Sequence, residues 1–225
     1  MTPSPFSPTS NKLMSINDRP AEVFVRGEGA WLWDAAGNRY LDWLQGWAVN
    51  ALGHCPSVVL QALQKQSALL LTPSPGLHNE PSLKLAETLC AVSGFDQDFF
   101  GSTGAEANEG AIKLARKWGR VHRGGAYEII TFHNAFHGRN LATMAASGKA
   151  GWDAIFPPHM PGFVNAQFNI IASVQSALSE RTVAIMLEPV QGEAGVYPAT
   201  VEFINALRQL CDAHGLPVVS LIDTP

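Results

Sequence analysis

The chain has 225 residues, 46% of them hydrophobic, with 20 glycines, three cysteines and a formal net charge of −4. That composition fits one large or two small globular domains with a substantial core. It contains no Lys/Arg run of the kind that meets nucleic acid or an anionic membrane, no apolar run long enough to span a bilayer, and no CxxC pair among Cys55, Cys90 and Cys211 to support a zinc ribbon or a disulfide framework.

Residues 1–20 read as a loose arm. Thr2–Ser10 is polar and Pro/Ser-rich, without the basic-then-apolar pattern of a secretory leader, so the cytoplasm is the expected compartment. Val23–Trp47 reads as small β structure, with Trp31-Leu32-Trp33 and Tyr40-Leu41-Asp42-Trp43 flanking a Gly37-Asn38 hairpin turn. Trp31, Trp33, Trp43 and Trp47 either line a ligand surface or simply pack the hairpin. Gly53-His54-Cys55-Pro56 then punctuates the chain. A helix is predicted from Ser57, with Val59, Leu60, Leu63 and Leu70 on its buried side, and Thr72–Gly76 breaks it. A second helix, Pro81–Val92, opens with proline at a first-turn position and repeats Leu85, Leu89 and Val92 at helical spacing. The expected division is an arm at 1–20, an N-terminal segment at 21–72 and a larger portion at 73–225.

From residue 99 strands and helices alternate, which predicts an α/β fold with a mostly parallel sheet. Phe99-Phe100-Gly101-Ser102-Thr103-Gly104-Ala105-Glu106 reads as the end of a strand, a glycine turn and a helix start. Thr103 with Glu106 three residues later has the capping-box pattern. Ala111, Leu114, Ala115 and Trp118 share one helical face. The opening amides of such a helix have no internal partners and carry the positive end of its dipole, a combination suited to a phosphate group. An ordinary well-capped loop has the same pattern. No Lys-Ser/Thr follows the glycines, and the stretch is not GxGxxG, so neither nucleotide fingerprint is present. Further strands are predicted at Glu128–Phe132, Val183–Leu187 and Val218–Ile222, and a helix at Thr200–His214 with Phe203, Ile204, Leu207, Leu210 and Cys211 inward. In such sheets ligands lie beyond the carboxyl ends of strands. Gly101–Ala105, Phe132–Gly138 and Glu188–Gly192 are therefore expected to share one crevice.

On the second of these loops Phe136 can stack on a flat ring or serve as core, and Arg139 can clamp a carboxylate or remain a surface charge. His133 and His137 lie four apart without a helical HExxH context or further ligands, so no metal site is expected. Glu188 and Glu193 follow a buried strand, where carboxylates need partners or water. Asp223 ends the last strand, where an aspartate can hold a protonated ring nitrogen. Ser147-Gly148-Lys149-Ala150 is a partial match to a phosphate-binding loop, lacking the leading glycine and the final Ser/Thr.

Four segments, Gly46–His54, Ser102–Glu109, Phe136–Arg139 and Glu188–Glu193, together resemble the class-III pyridoxal-phosphate aminotransferases in order and spacing, over about residues 15–216. The resemblance implies a fold-type I homodimer. Its large, mostly parallel domain would be incomplete here, and part of a smaller α+β domain would be built from the N-terminal segment. It implies pyridoxal 5'-phosphate as cofactor, with Thr103, Gly104 and Ala105 on its phosphate and Phe136 on its ring. Arg139 would take the substrate carboxylate, and Glu188 and Glu193 would line the site. The implied reaction moves the amino group of N-acetylornithine, or a related ω-amino acid, to 2-oxoglutarate in arginine metabolism.

The chain departs from the family pattern at its end. Asp223 falls about two positions late, and Thr224-Pro225 stands where the family has Glu-Val. None of Lys12, Lys65, Lys84, Lys113, Lys117 or Lys149 lies in the Gly-Lys-Gly context of the lysine that carries the cofactor in the family. The expectation is a chain broken near Leu216 and catalytically incomplete. The other reading is a non-catalytic remnant that binds phosphate compounds or pairs with a full-length subunit.

Overall fold

The computed structural model describes residues 12–14, 16 and 18–217, and the chain divides into two compact units, one up to Leu89 and one from Cys90 on. In the first unit, β1 (Phe24–Glu28), β2 (Trp31–Asp34) and β3 (Arg39–Leu41) form an antiparallel sheet in that order. Its turn closes because the buried Asp34 carboxylate accepts both the backbone N–H of Asn38, at 2.8 Å, and its side-chain amide, at 2.9 Å. Tyr40 donates its hydroxyl to the same group at 3.0 Å. Arg26 lies 4.3 Å from the Trp33 ring and Arg39 4.2 Å from Trp31. Those two tryptophans thus serve hairpin packing, whereas Trp43 and Trp47 remain 86% and 67% exposed.

The segment after the sheet turns left-handed. The single turn α1 (Gln45–Ala48) has φ of +45°, +64°, +67° and +64° along its four residues. Asp42 holds its entry by accepting the N–H groups of Leu44 and Gln45, while its other oxygen meets His54 Nε2 at 2.8 Å. Helices α2 (Ser57–Ser67) and α3 (Glu80–Ser93) form where predicted. The expected burial along α2 does not occur: Val59, Leu60, Leu63 and Leu70 are each at least 40% exposed, because nothing in the described chain covers that face.

The second unit is built on a parallel sheet. Its elements are α4 (Gly104–His122), β4 (Glu128–Phe132), α5 (Leu141–Ala146), β5 (Phe163–Ala166), α6 (Ile171–Ala177), β6 (Thr182–Ile185), the short antiparallel pair β7 (Val190–Gln191) and β8 (Tyr197–Pro198), and α7 (Val201–Ala213). Sheet order is β5-β4-β6, with β4 parallel to both neighbours. All five β4 residues are buried, as a strand covered on both faces requires. Successive side chains point to opposite faces. Ile129 accordingly joins Ile112 of α4, Ala142 of α5 and Val183, whereas Ile130 and Phe132 join Val174 of α6 and Phe203 and Leu207 of α7. Helices thus cover both sides of the sheet.

Three expectations fail here. Phe99-Phe100 forms no strand, because among the described residues it has no ladder partner. The buried line of α4 is Ile112–Ala115–Gly119 with Trp118 beside it, while Leu114 is 54% exposed. Gly119 lets the helix approach so closely that a Cβ there would lie 2.2 Å from the Ala126 carbonyl oxygen. On α7, Ile204 likewise turns outward at 38% exposure. The predicted strand at Val218–Ile222, and Asp223 with it, lie outside the described residues. Among the described residues no helix is long and apolar enough to cross a membrane.

Candidate functional site

Thr103 begins the site. Its extended backbone (φ −148°, ψ 157°) ends the loop, and its hydroxyl accepts the Glu106 N–H at 3.1 Å. The Glu106 carboxylate reaches back to the Ser102 N–H at 2.6 Å, one residue before the cap rather than to the cap itself. These two bonds leave the N–H groups of Gly104 and Ala105 without an acceptor among the described residues. Both point from the positive end of a 19-residue helix, the ordinary setting for an anion.

The second loop is fastened to the first turns of that helix. Asn108 donates its side-chain amide to the His137 carbonyl at 2.8 Å, and Glu109 accepts the Thr143 N–H at 3.3 Å. Gly138 makes the closest approach: with φ +125°, a Cβ there would lie 2.7 Å from Ala105 Cβ and 2.8 Å from Thr143 Oγ1. The third loop joins through Glu188, whose Oε2 accepts the Phe136 N–H at 2.9 Å, and through buried Gln191, which donates to the His133 carbonyl at 3.1 Å. Three loops predicted to share a crevice are thus brought together.

Phe136 is half-buried, meeting the Trp152 ring edge-on at 6.4 Å. Arg139 is exposed, with no acceptor for its guanidinium among the described residues. Glu193 pairs with Lys149. Burial pushes the Glu188 carboxyl above its ordinary pKa, with Glu193 adding to the rise and the Phe136 N–H and Lys149 opposing it. An open depression of about 710 Å³ lies at the start of α4, lined by residues that include Phe100, Gly101, Ser102, Glu106, Lys113 and Leu141. Phe136, Arg139, Glu188 and Glu193 do not line it. Asn108, Glu109, Gln191 and Lys149 were not singled out as site residues from sequence. Asn108 and Glu109 carried a signal, polar side chains one turn into an otherwise apolar-faced helix.

His137 belongs to the scaffold beneath the site. It is 4% exposed, its Nε2 has no hydrogen-bond partner among the described residues, and its N–H donates to Ser147 Oγ at 3.0 Å. Burial lowers its pKa from 6.5 to about 4. An unfolded chain binds that proton near pH 6.5, and the folded chain resists it until about pH 4. Stability is therefore expected to fall as pH drops through this window, by up to roughly 3 kcal/mol, with no penalty above it. Urea midpoints at pH 7 and pH 4.5 check this. His137→Phe should lose less stability between the two pH values than the unmodified chain.

A family model described as aminotransferase class-III matches residues 14–221. The chain is 59% identical over 206 residues to "Acetylornithine aminotransferase 2" of Bordetella bronchiseptica, covering 92% of this chain and 52% of that protein. It is 57% identical over 211 residues to "Acetylornithine aminotransferase" of Ralstonia nicotianae, covering 92% of this chain and 53% of the other. Among solved structures it superposes on the N-acetylornithine aminotransferase of Stenotrophomonas maltophilia with a TM-score of 0.73 and 36% identity, covering 87% of this chain and 49% of that one. The ornithine aminotransferase of Toxoplasma gondii gives a TM-score of 0.82 at 28% identity, covering 89% and 49%. The chain spans about half the length of the curated relatives it matches.

Proposed function

The chain belongs to the class-III aminotransferases, and on that footing we propose that its second unit is the phosphate- and ring-binding part of a pyridoxal-phosphate aminotransferase. The whole protein would transfer the terminal amino group of N-acetylornithine, or a related ω-amino acid, to 2-oxoglutarate in the cytoplasm, serving arginine metabolism. The observation that carries the reading is the approach of Gly138 to Ala105, which sets the Phe136 loop against the open amides of α4.

The residues fit the cofactor. Two backbone donors at a helix start, unpaired among the described residues, suit a phosphate, and a half-buried ring suits a flat pyridine. The cofactor's ring supplies an electron sink for negative charge on the substrate carbon. Thr103 orients the helix start, Gly104 and Ala105 donate to the phosphate, and Phe136 stacks on the ring. Glu188 fixes the Phe136 backbone through its N–H. Arg139, exposed and without an acceptor among the described residues, grips the substrate carboxylate with its two-pronged guanidinium. Glu193, paired with Lys149 beside the Phe136 ring, would line the site from the third loop. Asp223 would hold the ring nitrogen.

A homodimer is part of this reading. Trp43, Trp47 and Leu52 stand 86%, 67% and 66% exposed on the first unit, large apolar side chains that a second copy of the chain would cover. Sedimentation of the whole protein tests it; a monomer at micromolar concentration would contradict it.

Equilibrium titration with pyridoxal phosphate against pyridoxal tests the cofactor site. The phosphate should tighten binding about tenfold or more, because it meets charge-assisted donors. Equal affinities would contradict the reading. After borohydride treatment, no lysine of residues 1–225 should retain the cofactor stoichiometrically, since none lies in the Gly-Lys-Gly context. A stoichiometrically labelled lysine would overturn that expectation.

A further inference from the structure

Lys149 stands between the second and third loops. The backbone before it is fixed: Gly148 has φ +58°, and a Cβ there would lie 2.7 Å from both Asn165 Nδ2 and the Phe132 carbonyl oxygen. The Gly148 carbonyl accepts the Asn134 N–H at 3.3 Å, tying this segment to the Phe136 loop. The Lys149 ammonium pairs with the Glu193 carboxylate. It also lies 5.0 Å from the Phe136 ring centroid and 4.9 Å from that of Trp152.

The side chains of the ion pair are 23% and 32% exposed, so water screens them less than a surface pair. An ammonium over an aromatic face is held by the ring's quadrupole. One cation thus joins the second loop, the third loop and the 3₁₀ turn Trp152–Ala154. A nucleophilic role is at odds with this setting, because an ion-paired ammonium has no free lone pair.

We propose that Lys149 is a positioning residue of the site: its ammonium fixes the Phe136 ring and the Glu193 carboxylate relative to each other, so that a flat phosphate-bearing ligand meets a ring already in place. The ligand half of this statement rests on the cofactor reading above; the pinning of the loops does not.

The test compares Lys149→Met, Lys149→Arg, Glu193→Gln and the exposed control Lys117→Met on the 225-residue chain, with two readouts. The first is hydrogen exchange across residues 133–140 without ligand. Lys149→Met and Glu193→Gln should speed it about tenfold, as local opening becomes easier, while Lys149→Arg and Lys117→Met leave it near the unmodified rate. The second is the induced circular dichroism of bound pyridoxal phosphate at saturation. It should fall by about half or more in Lys149→Met, because a loosened ring no longer imposes one orientation on its ligand, and return in Lys149→Arg. Unchanged exchange in Lys149→Met, or a Lys149→Arg variant no better than Lys149→Met, overturns the proposal. Absent cofactor binding together with the expected exchange pattern defeats the cofactor reading and leaves the positioning role standing.

Discussion

Gly138→Ala is expected to cost the chain between about tenfold and 100-fold in affinity for pyridoxal phosphate, equivalent to roughly 1.4–2.8 kcal/mol. Two effects act together. A φ of +125° lies where residues with a side chain are strained, at a cost of roughly 1–3 kcal/mol. The added methyl would also fall 2.7 Å from Ala105 Cβ and 3.1 Å from Ala105 Cα, so the second loop must withdraw from the helix start. Withdrawal separates the Phe136 ring from the Gly104 and Ala105 amides, the pair of features on which binding depends. Affinity measured by titration, with far-UV circular dichroism to verify folding, checks this. A folded variant that binds as tightly as the unmodified chain would show that the contact does not shape the site.

The largest effect on stability is expected at Gly119. Helix propensity alone favours alanine there by about 1 kcal/mol. Packing opposes it: the new Cβ would lie 2.2 Å from the Ala126 carbonyl oxygen and 2.3 Å from Val183 Cγ1. Neither can yield easily, since one is backbone and the other belongs to a residue 1% exposed in the middle of β6. Overpacking of this kind costs roughly 1–3 kcal/mol or more, and collision with a backbone atom puts Gly119→Ala at the upper end. With the propensity gain set against it the net cost is about 2 kcal/mol, so the thermal midpoint should drop by roughly 4–8 °C, at 2–4 °C for each kcal/mol. A midpoint unchanged or raised would mean that α4 lies further from the sheet than the structure has it.

The same glycine explains what the sequence could and could not tell. Hydrophobic periodicity finds α7 with nearly correct bounds and α4 as a helix that in the structure runs on to His122, past the last periodic residue Trp118, and the capping residue Thr103 is legible because caps are local. The buried face of α4 was misplaced toward Leu114, since a glycine at a helix–sheet contact adds no apolar signal although it marks the closest approach. Strand β4 was read in full from its apolar run, but β5 was missed: it is four residues long, and Asn165 within it is polar because its amide donates to Thr131 on the neighbouring strand at 2.8 Å. Helix α6 has seven residues, too few for a period to emerge.

At the site, loops following strands could be placed together by the topology of parallel sheets. Their fastening could not. Phe136 and Glu188 are separated by 52 positions and Lys149 and Glu193 by 44, and nothing local links such pairs. The apolar side of α2, expected to be inward, remains open because burial depends on a neighbour that periodicity cannot supply.

The central claim is that a phosphate-bearing cofactor binds at the start of α4, beside Phe136. A backbone-assigned amide spectrum recorded during titration with pyridoxal phosphate tests it most directly. The account predicts the largest shifts at the Gly104 and Ala105 amides, with the Phe136 amide moving at the same ligand concentration. Shifts confined instead to the depression between Phe100, Lys113 and Leu141, with Gly104 and Ala105 unmoved at saturation, would contradict it.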